Sequence, residues 1–215
     1  MRVDGISATK PATPVTGESS ITVEDEGWVS RAAHKLLGAL KDLSVDVPAR
    51  VLDAGSSTGG FTQVLLRHGA KRVYAVDVGT DQLAPELRSD ARVVVHEQTN
   101  LRDLTLAHVE GEPVGLVVSD VSFISLTLLL EPMFGVLDER GEALLMVKPQ
   151  FEVGRARLAR GGVVRDPADR AYAVTRVTNA AAELGWTCLA TAESTLPGPA
   201  GNVETFIHLR RTHLC

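Results

Sequence analysis

The stretch Arg50-Val-Leu-Asp-Ala-Gly-Ser-Ser-Thr-Gly-Gly-Phe61 decides how the rest of the chain is read. An apolar run, Val51 and Leu52, meets the carboxylate of Asp53 and then a glycine-rich turn. After the turn, Phe61, Val64, Leu65 and Leu66 recur at helical spacing. The pattern is a strand that enters a helix through a tight loop. Without Cβ atoms at Gly55, Gly59 and Gly60 the backbone can run close to a ligand, and the first helical turn has free N–H groups to offer it.

Two common ligands of such loops fail here. A triphosphate loop needs a lysine after its last glycine, but Phe61 follows Gly60. The dinucleotide pattern needs a second glycine where Ser57 stands. The form Asp-x-Gly-x-x-x-Gly-Gly suits S-adenosylmethionine, which has no phosphate. Its amino and carboxylate groups are expected at Asp53 and along Gly55, Ser56, Ser57, Thr58, Gly59, Gly60 and Phe61. A plain tight turn is the alternative. The next strand, Lys71 to Asp77, favours a nucleoside, because Asp77 lies 24 residues after Asp53, near the spacing at which a carboxylate meets a ribose diol. Asp77 could instead cap the helix of Leu83 to Leu87, a role open also to Thr80 or Asp81.

Outward from this unit the chain alternates. Ser30 is the expected N-cap of a helix with Ala33, Leu36, Leu37, Leu40 and Leu43 on one stripe, and Lys35 shares that segment. Strands are expected at 92–95, 114–119, 142–147, 187–192 and 203–209, and helices at 126–137 and 167–184. Repeated βα units imply a mainly parallel sheet with helices on both faces and a ligand beyond the strand ends. Asp53, Asp77, Asp120 and Lys148 all fall at those ends. Asn100, after the third strand, is either an adenine contact or a turn residue. Lys148 ends a buried apolar run, and its partial desolvation makes it a candidate general base that Asp120 would orient.

At 215 residues the chain fits one domain with a short appendage. Residues 1–27 are rich in Ser, Thr, Pro and Gly, with short strands expected at Val3 to Ile6 and Ser20 to Val23. No run of about 18 apolar residues and no signal-like segment occurs, so a cytoplasmic protein without a membrane partner is expected. Two cysteines, Cys188 and Cys215, give neither a disulfide framework nor a metal cluster. The net charge of −5 excludes a globally basic nucleic-acid binder. Lys148 to Arg176, however, carries seven basic residues against three acidic ones. Phosphate attraction acts within a Debye length of about 8–10 Å, so a local basic loop can hold RNA on an acidic protein. A solvated loop with scattered arginines is the other reading.

Five segments carry a resemblance: Ser30-Arg-Ala-Ala-His-Lys-Leu36, Asp53 to Phe61, Ser119-Asp-Val-Ser-Phe-Ile-Ser125, Val147-Lys-Pro-Gln-Phe-Glu-Val-Gly154 and Gly198-Pro-Ala-Gly-Asn-Val-Glu-Thr-Phe206. Together they resemble the TlyA (hemolysin A) family of ribosomal RNA 2′-O-ribose methyltransferases, relatives of FtsJ. The resemblance implies a Rossmann-like fold with a seven-stranded sheet, S-adenosylmethionine as cofactor, ribosomal RNA or a ribosomal subunit as partner, and cytidine as the nucleoside. It implies a tetrad at Lys35, Asp120, Lys148 and Glu204 and no metal. Asp120 also borders the expected cofactor site, and Arg31, Arg155, Arg157, Arg160 and Arg165 are the RNA-facing candidates. It further implies that residues 1–27 are the end of an S4-like RNA-binding domain plus linker, the rest of that domain being absent, and that 28–215 form the methyltransferase domain. One departure is plain: Glu26-Gly-Trp-Val29 lacks the arginine of the Arg-x-Trp-Val linker.

The residues themselves suggest the chemistry. A ribose hydroxyl is a poor nucleophile and needs placement and proton removal. Lys148 would be the base, Lys35 would supply positive charge, and Asp120 and Glu204 would hold the two ammonium groups. Amine methylation would more often show Asn/Asp-Pro-Pro-Phe/Tyr after the fourth strand, and Ser119-Asp-Val-Ser differs from it. A noncatalytic RNA- or ribosome-associated, hemolysin-like protein that keeps the fold is the alternative, separated by whether the cofactor binds.

Overall fold

The structure, a computed structural model, describes residues 2–7, 13–22 and 27–212. Its first elements form a small sheet of three two-residue strands, β1 (Arg2–Val3), β2 (Ile6–Ser7) and β3 (Ile21–Thr22), in the order β2-β1-β3. Val3 to Ile6 is therefore a hairpin and not one strand. Asp4 and Gly5 take positive φ of 53° and 78°, the pairing that closes two-residue hairpins. Asp4 Oδ1 also accepts the Ser20 N–H at 2.7 Å, which ties in β3. Val23 lies outside the described residues.

The main body holds α1 (Ala32–Asp42), β4 (Arg50–Ala54), α2 (Gly60–Arg67), β5 (Arg72–Val76), α3 (Pro85–Arg88), β6 (Val93–His96), β7 (Val114–Ser119), α4 (Leu130–Gly135), β8 (Leu137–Val147), α5 (Pro149–Glu152), α6 (Pro167–Glu183), β9 (Trp186–Glu193) and β10 (Thr205–Arg211). The seven strands run β6-β5-β4-β7-β8-β10-β9. The strands from β6 across to β8 pair in parallel, and β10 is antiparallel to both β8 and β9. The order reverses between β4 and β7, the position at which such sheets form a crevice.

Side chains alternate across the sheet because successive residues of a strand face opposite ways. Val51, Val73, Leu116, Leu144 and Phe206 pack with Leu36 of α1 and Val64 and Leu65 of α2. Leu52, Tyr74, Val117, Leu145 and Ile207 pack with Met133 of α4 and Val177 of α6 on the other face. Leu36 is fully buried, so its truncation to Ala would cost about 2–5 kcal/mol.

Several details differ from the sequence reading, among them the last strand, which is Thr205–Arg211 and not 203–209. Ser30 Oγ accepts the Ala32 N–H at 3.0 Å, but the helix opens only at Ala32. The helix expected at 126–137 is a 3-10 turn at Leu126–Leu128, then α4, and β8 already starts at Leu137. The Ser125 hydroxyl closes that turn by accepting the Thr127 N–H, and Leu137 is drawn into the sheet by pairing with Val114. At α3 no side chain caps the start, neither Asp77 nor Thr80 nor Asp81. Instead the Glu97 carboxylate accepts the N–H groups of Asp81, Gln82 and Leu83 and pairs with Arg88. Among the described residues no helix is long and apolar enough to cross a membrane.

Candidate active site

A cavity of about 620 Å³ opens beyond the carboxyl ends of β4, β5 and β7, with Gly55, Ser57, Asp77, Gly79, Asn100 and Asp120 in its wall. Asp77 follows β5 and is held by two backbone donors. Ser57 N–H meets its Oδ2 at 2.8 Å and Gly79 N–H its Oδ1 at 2.7 Å. A carboxylate offers about four lone-pair positions, so both oxygens keep capacity for a diol. Ser57 takes a φ of 45° to aim its N–H this way, a conformation that non-glycine residues rarely adopt. Asn100 takes the turn role, its Oδ1 accepting the Arg102 N–H at 3.0 Å, and it also lines the cavity.

The glycines of the loop are also required by the protein's own packing, while Gly55 and Gly60 line cavity walls. A Cβ at Gly59 would sit 2.3 Å from Leu87 Cδ1, and one at Gly60 would sit 2.6 Å from Ser30 Oγ. A Cβ at Gly55 would meet the Val121 backbone at 3.2 Å. These residues let α1, α3 and the loop after β7 close around the turn.

Asp53 lies within β4, wholly buried, and forms no part of the cavity wall. Its Oδ2 accepts the Thr62 hydroxyl at 2.7 Å, and its Oδ1 is buried without a hydrogen-bond partner. Desolvation pushes its carboxyl up to about 7. The Thr62 hydrogen bond opposes that rise, while Asp120 and Asp77 add to it. A cavity of this size with a carboxylate at a strand end, together with a buried acceptor left over beside the loop, fits an adenosyl ligand bearing an ammonium group.

A second, smaller cavity of about 170 Å³ shares Gly55, Ser57, Asp120 and Ser122 with the first and adds Ser30 and Lys148. Lys148 is 8% exposed. Its Nζ lies 2.6 Å from Asp120 Oδ1 and donates to Ser122 Oγ at 2.7 Å and to the Asp120 carbonyl at 3.3 Å. Lys35 of α1 and Glu204 form a second ion pair, both nearly inaccessible to solvent. Neither lines the two cavities. The sheet register explains how the pairs meet: Thr205 lies opposite Val147, so the next residues outward are Glu204 and Lys148. The four tetrad candidates thus form two ion pairs, Lys35–Glu204 buried and Lys148–Asp120 partly buried, where α1 meets the ends of β7, β8 and β10.

A model of FtsJ-like methyltransferases matches residues 28–211. The chain belongs to that family. This FtsJ-like methyltransferase is 50% identical over 214 residues to the 16S/23S rRNA (cytidine-2′-O)-methyltransferase TlyA of Mycobacterium tuberculosis, covering 98% of this chain and 80% of that one. It is 40% identical over 187 residues to the 23S rRNA (cytidine-2′-O)-methyltransferase TlyA of Campylobacter jejuni, covering 85% and 71%. A crystal structure from Lactococcus lactis, of a protein provisionally named a hemolysin, superposes with a TM-score of 0.81 at 46% identity, covering 85% of this chain and 88% of that one.

The arginines foreseen for RNA behave unequally in the methyltransferase. Arg31, Arg155, Arg160 and Arg165 are exposed. Arg157 is tied into the protein: its Nη1 donates to Asp169 at 2.7 Å and its guanidinium lies 4.4 Å from the Tyr172 ring centre. The linker carries its own arginine contact despite the departure at position 26, since the Arg67 guanidinium lies 4.0 Å from the Trp28 ring centre and donates to the Gly27 carbonyl. Sequence reasoning passed over Ser122 and Phe123, which sit inside the quoted segment Ser119 to Ser125. Phe123 is 91% exposed on the cavity lip with a φ of 66°, 5.4 Å from the Phe151 ring centre. A large aromatic side chain directly after Ser122 in that motif was the available signal.

Proposed function

We propose that the protein transfers the methyl group of S-adenosylmethionine to a ribose 2′-hydroxyl of ribosomal RNA, with cytidine as the acceptor nucleoside. The observation that carries this reading is the Lys148–Asp120–Ser122 cluster in the wall shared by the two cavities. The names of the relatives support it. Asp77 would hold the adenosine ribose, Asn100 and Gly79 the adenine side, and the amides of Ser56 to Thr58 with Asp53 the amino-acid end. Bound there, the cofactor supplies a methyl group activated by a sulfonium.

Lys148 Nζ takes the proton of the attacking hydroxyl, and Asp120 and Ser122 hold that nitrogen on the acceptor side. The Lys35–Glu204 pair behind it places one more positive charge near the developing alkoxide while keeping the local charge balanced. The burial of Lys148, Lys35 and Glu204 strengthens their ionic interactions relative to water. Phe123 presents an aromatic face at the mouth, where a base can stack. Arg31, Arg155, Arg160 and Arg165 supply the phosphate contacts. Residues 1–27, with their small sheet, act as the linker and terminal part of an RNA-binding module.

Single-turnover methylation of ribosomal RNA with labelled cofactor, followed by mapping of ribose methylation, tests the proposal. Label on a cytidine 2′-oxygen is the expected result. Label on a base or on protein, or tight cofactor binding with no transfer to any ribosomal RNA, would overturn it.

A further inference from the structure

A buried carboxylate lies just outside the tetrad. Glu152 is the last residue of α5 and is 1% exposed. Its Oε2 accepts the Ser125 hydroxyl at 2.6 Å and its Oε1 accepts the Leu126 N–H at 2.8 Å. The nearest cation is Arg176 of α6, half-exposed, with Nη1 3.9 Å from Oε2 and donating also to the Glu152 carbonyl. A carboxylate this deep is costly unless hydrogen-bonded, so its two donors are strongly held.

We infer that Glu152 is a positioning residue for methyl transfer: it clamps the loop carrying Asp120, Ser122 and Phe123 against the helix that begins at Lys148. This rests on the function proposed above. The two groups that must meet come from different strands. Asp120 leaves β7 and Lys148 leaves β8, and each enters an irregular segment after its strand. Residues 120–124 bear a non-glycine φ of 66° at Phe123 and no helix or strand of their own. Such a segment keeps one conformation only where its surroundings determine it. Glu152 ties down its far end at Ser125 and Leu126, and α5, whose Phe151 N–H bonds the Lys148 carbonyl at 3.0 Å, carries that restraint directly to the lysine. The contact of the Phe123 and Phe151 rings closes the same junction on the solvent side. Without the clamp the 2.6 Å approach of Lys148 and Asp120 loses its outer support, while the cofactor loop at 55–61 keeps its own contacts with α1 and α3.

Glu152→Gln is the test, with Glu152→Ala beside it. Glutamine keeps one acceptor oxygen where two are needed, so either Ser125 or Leu126 loses its partner. The rate at saturating RNA and cofactor should fall on the order of 10- to 100-fold, the loss expected for one hydrogen bond to a charged group. The dissociation constant for S-adenosylmethionine should change by less than about threefold, and Glu152→Ala should be the slower of the two. His208→Gln, which removes another buried polar contact, with Glu142, serves as the control for general destabilisation. Hydrogen exchange read by mass spectrometry supplies a measurement independent of activity, in which amides 120–126 should exchange faster in Glu152→Gln and amides 55–61 should not. A parent protein that methylates no RNA would sink the functional proposal, and the exchange result would still decide the clamp. Unchanged exchange at 120–126, a Glu152→Gln rate within about threefold of the parent, or an equal rate loss in His208→Gln would overturn the inference.

Discussion

Asp53 gives the most quantitative test of the cofactor site. Burial raises its carboxyl from the ordinary 3.8 to about 7, so the folded protein holds a proton over a pH range in which the unfolded chain has released it. A raised folded-state value means stability that is complete below about 4 and is lost as pH rises through about 7. Moving one fully buried carboxyl that far amounts to about 4 kcal/mol in all, of which about 2–3 kcal/mol falls between pH 5 and pH 8. Asp53→Asn cannot titrate. Its amide can still accept the Thr62 hydroxyl, and any cost of placing NH₂ at the unpartnered Oδ1 position is the same at every pH. Urea unfolding of parent and variant without cofactor at pH 5, 6, 7 and 8 therefore isolates the linkage. The stability of the parent relative to the variant should fall by about 2–3 kcal/mol across this range. Parallel stability curves for parent and variant would refute the burial argument.

Other perturbations separate the parts of the site. Lys148→Ala should slow transfer by about 10²–10⁴-fold with cofactor affinity nearly intact, and Lys148→Arg should fail as well, because a guanidinium does not give up its proton; an active arginine variant would point to charge stabilisation without base catalysis. Asp77→Ala should weaken cofactor binding on the order of 10- to 100-fold in calorimetric titration, and undiminished affinity would remove Asp77 from the ribose. Replacing Arg155 and Arg160 with Ala should lower the salt dependence of RNA binding by roughly one log-log slope unit for each phosphate no longer neutralised. Arg157→Ala should change that slope less, since its guanidinium already pairs with Asp169.

The order of strands and helices was legible because each element carries its own period, and the turn from Asp53 to Phe61 announced where the crevice would lie. Asp77, Asp120 and Lys148 were legible for the same reason: they stand at the ends of apolar runs. What periodicity cannot supply is who touches whom. Lys35 sits on a core stripe and looks like a snorkelling lysine until β10 brings Glu204 beside it. The loop glycines read as room for a ligand, and sequence gives no view of Leu87, Ser30 or Val121 closing on them as well. Arg157 looked like its neighbours, and only the fold places Asp169 and Tyr172 under it. Glu152 and Glu97 were given no role from the sequence, because their value comes from backbone donors that a sequence does not place in space.

The insertion of β10 between β8 and β9 has a consequence for how the protein is made. Lys35 and Glu204 are 169 residues apart in the chain, and the ribosome delivers the lysine long before its partner. Strands β4 to β8, with α1 and α2 on their face, have all emerged by residue 147, so the cofactor crevice can close while the nascent chain is still lengthening. Until Glu204 has been made, Lys35 lacks the carboxylate it pairs with in the complete fold. The last strand to be synthesised both zips the sheet shut and neutralises the helix. A chain that stops before Glu204 lacks the carboxylate that completes the pair.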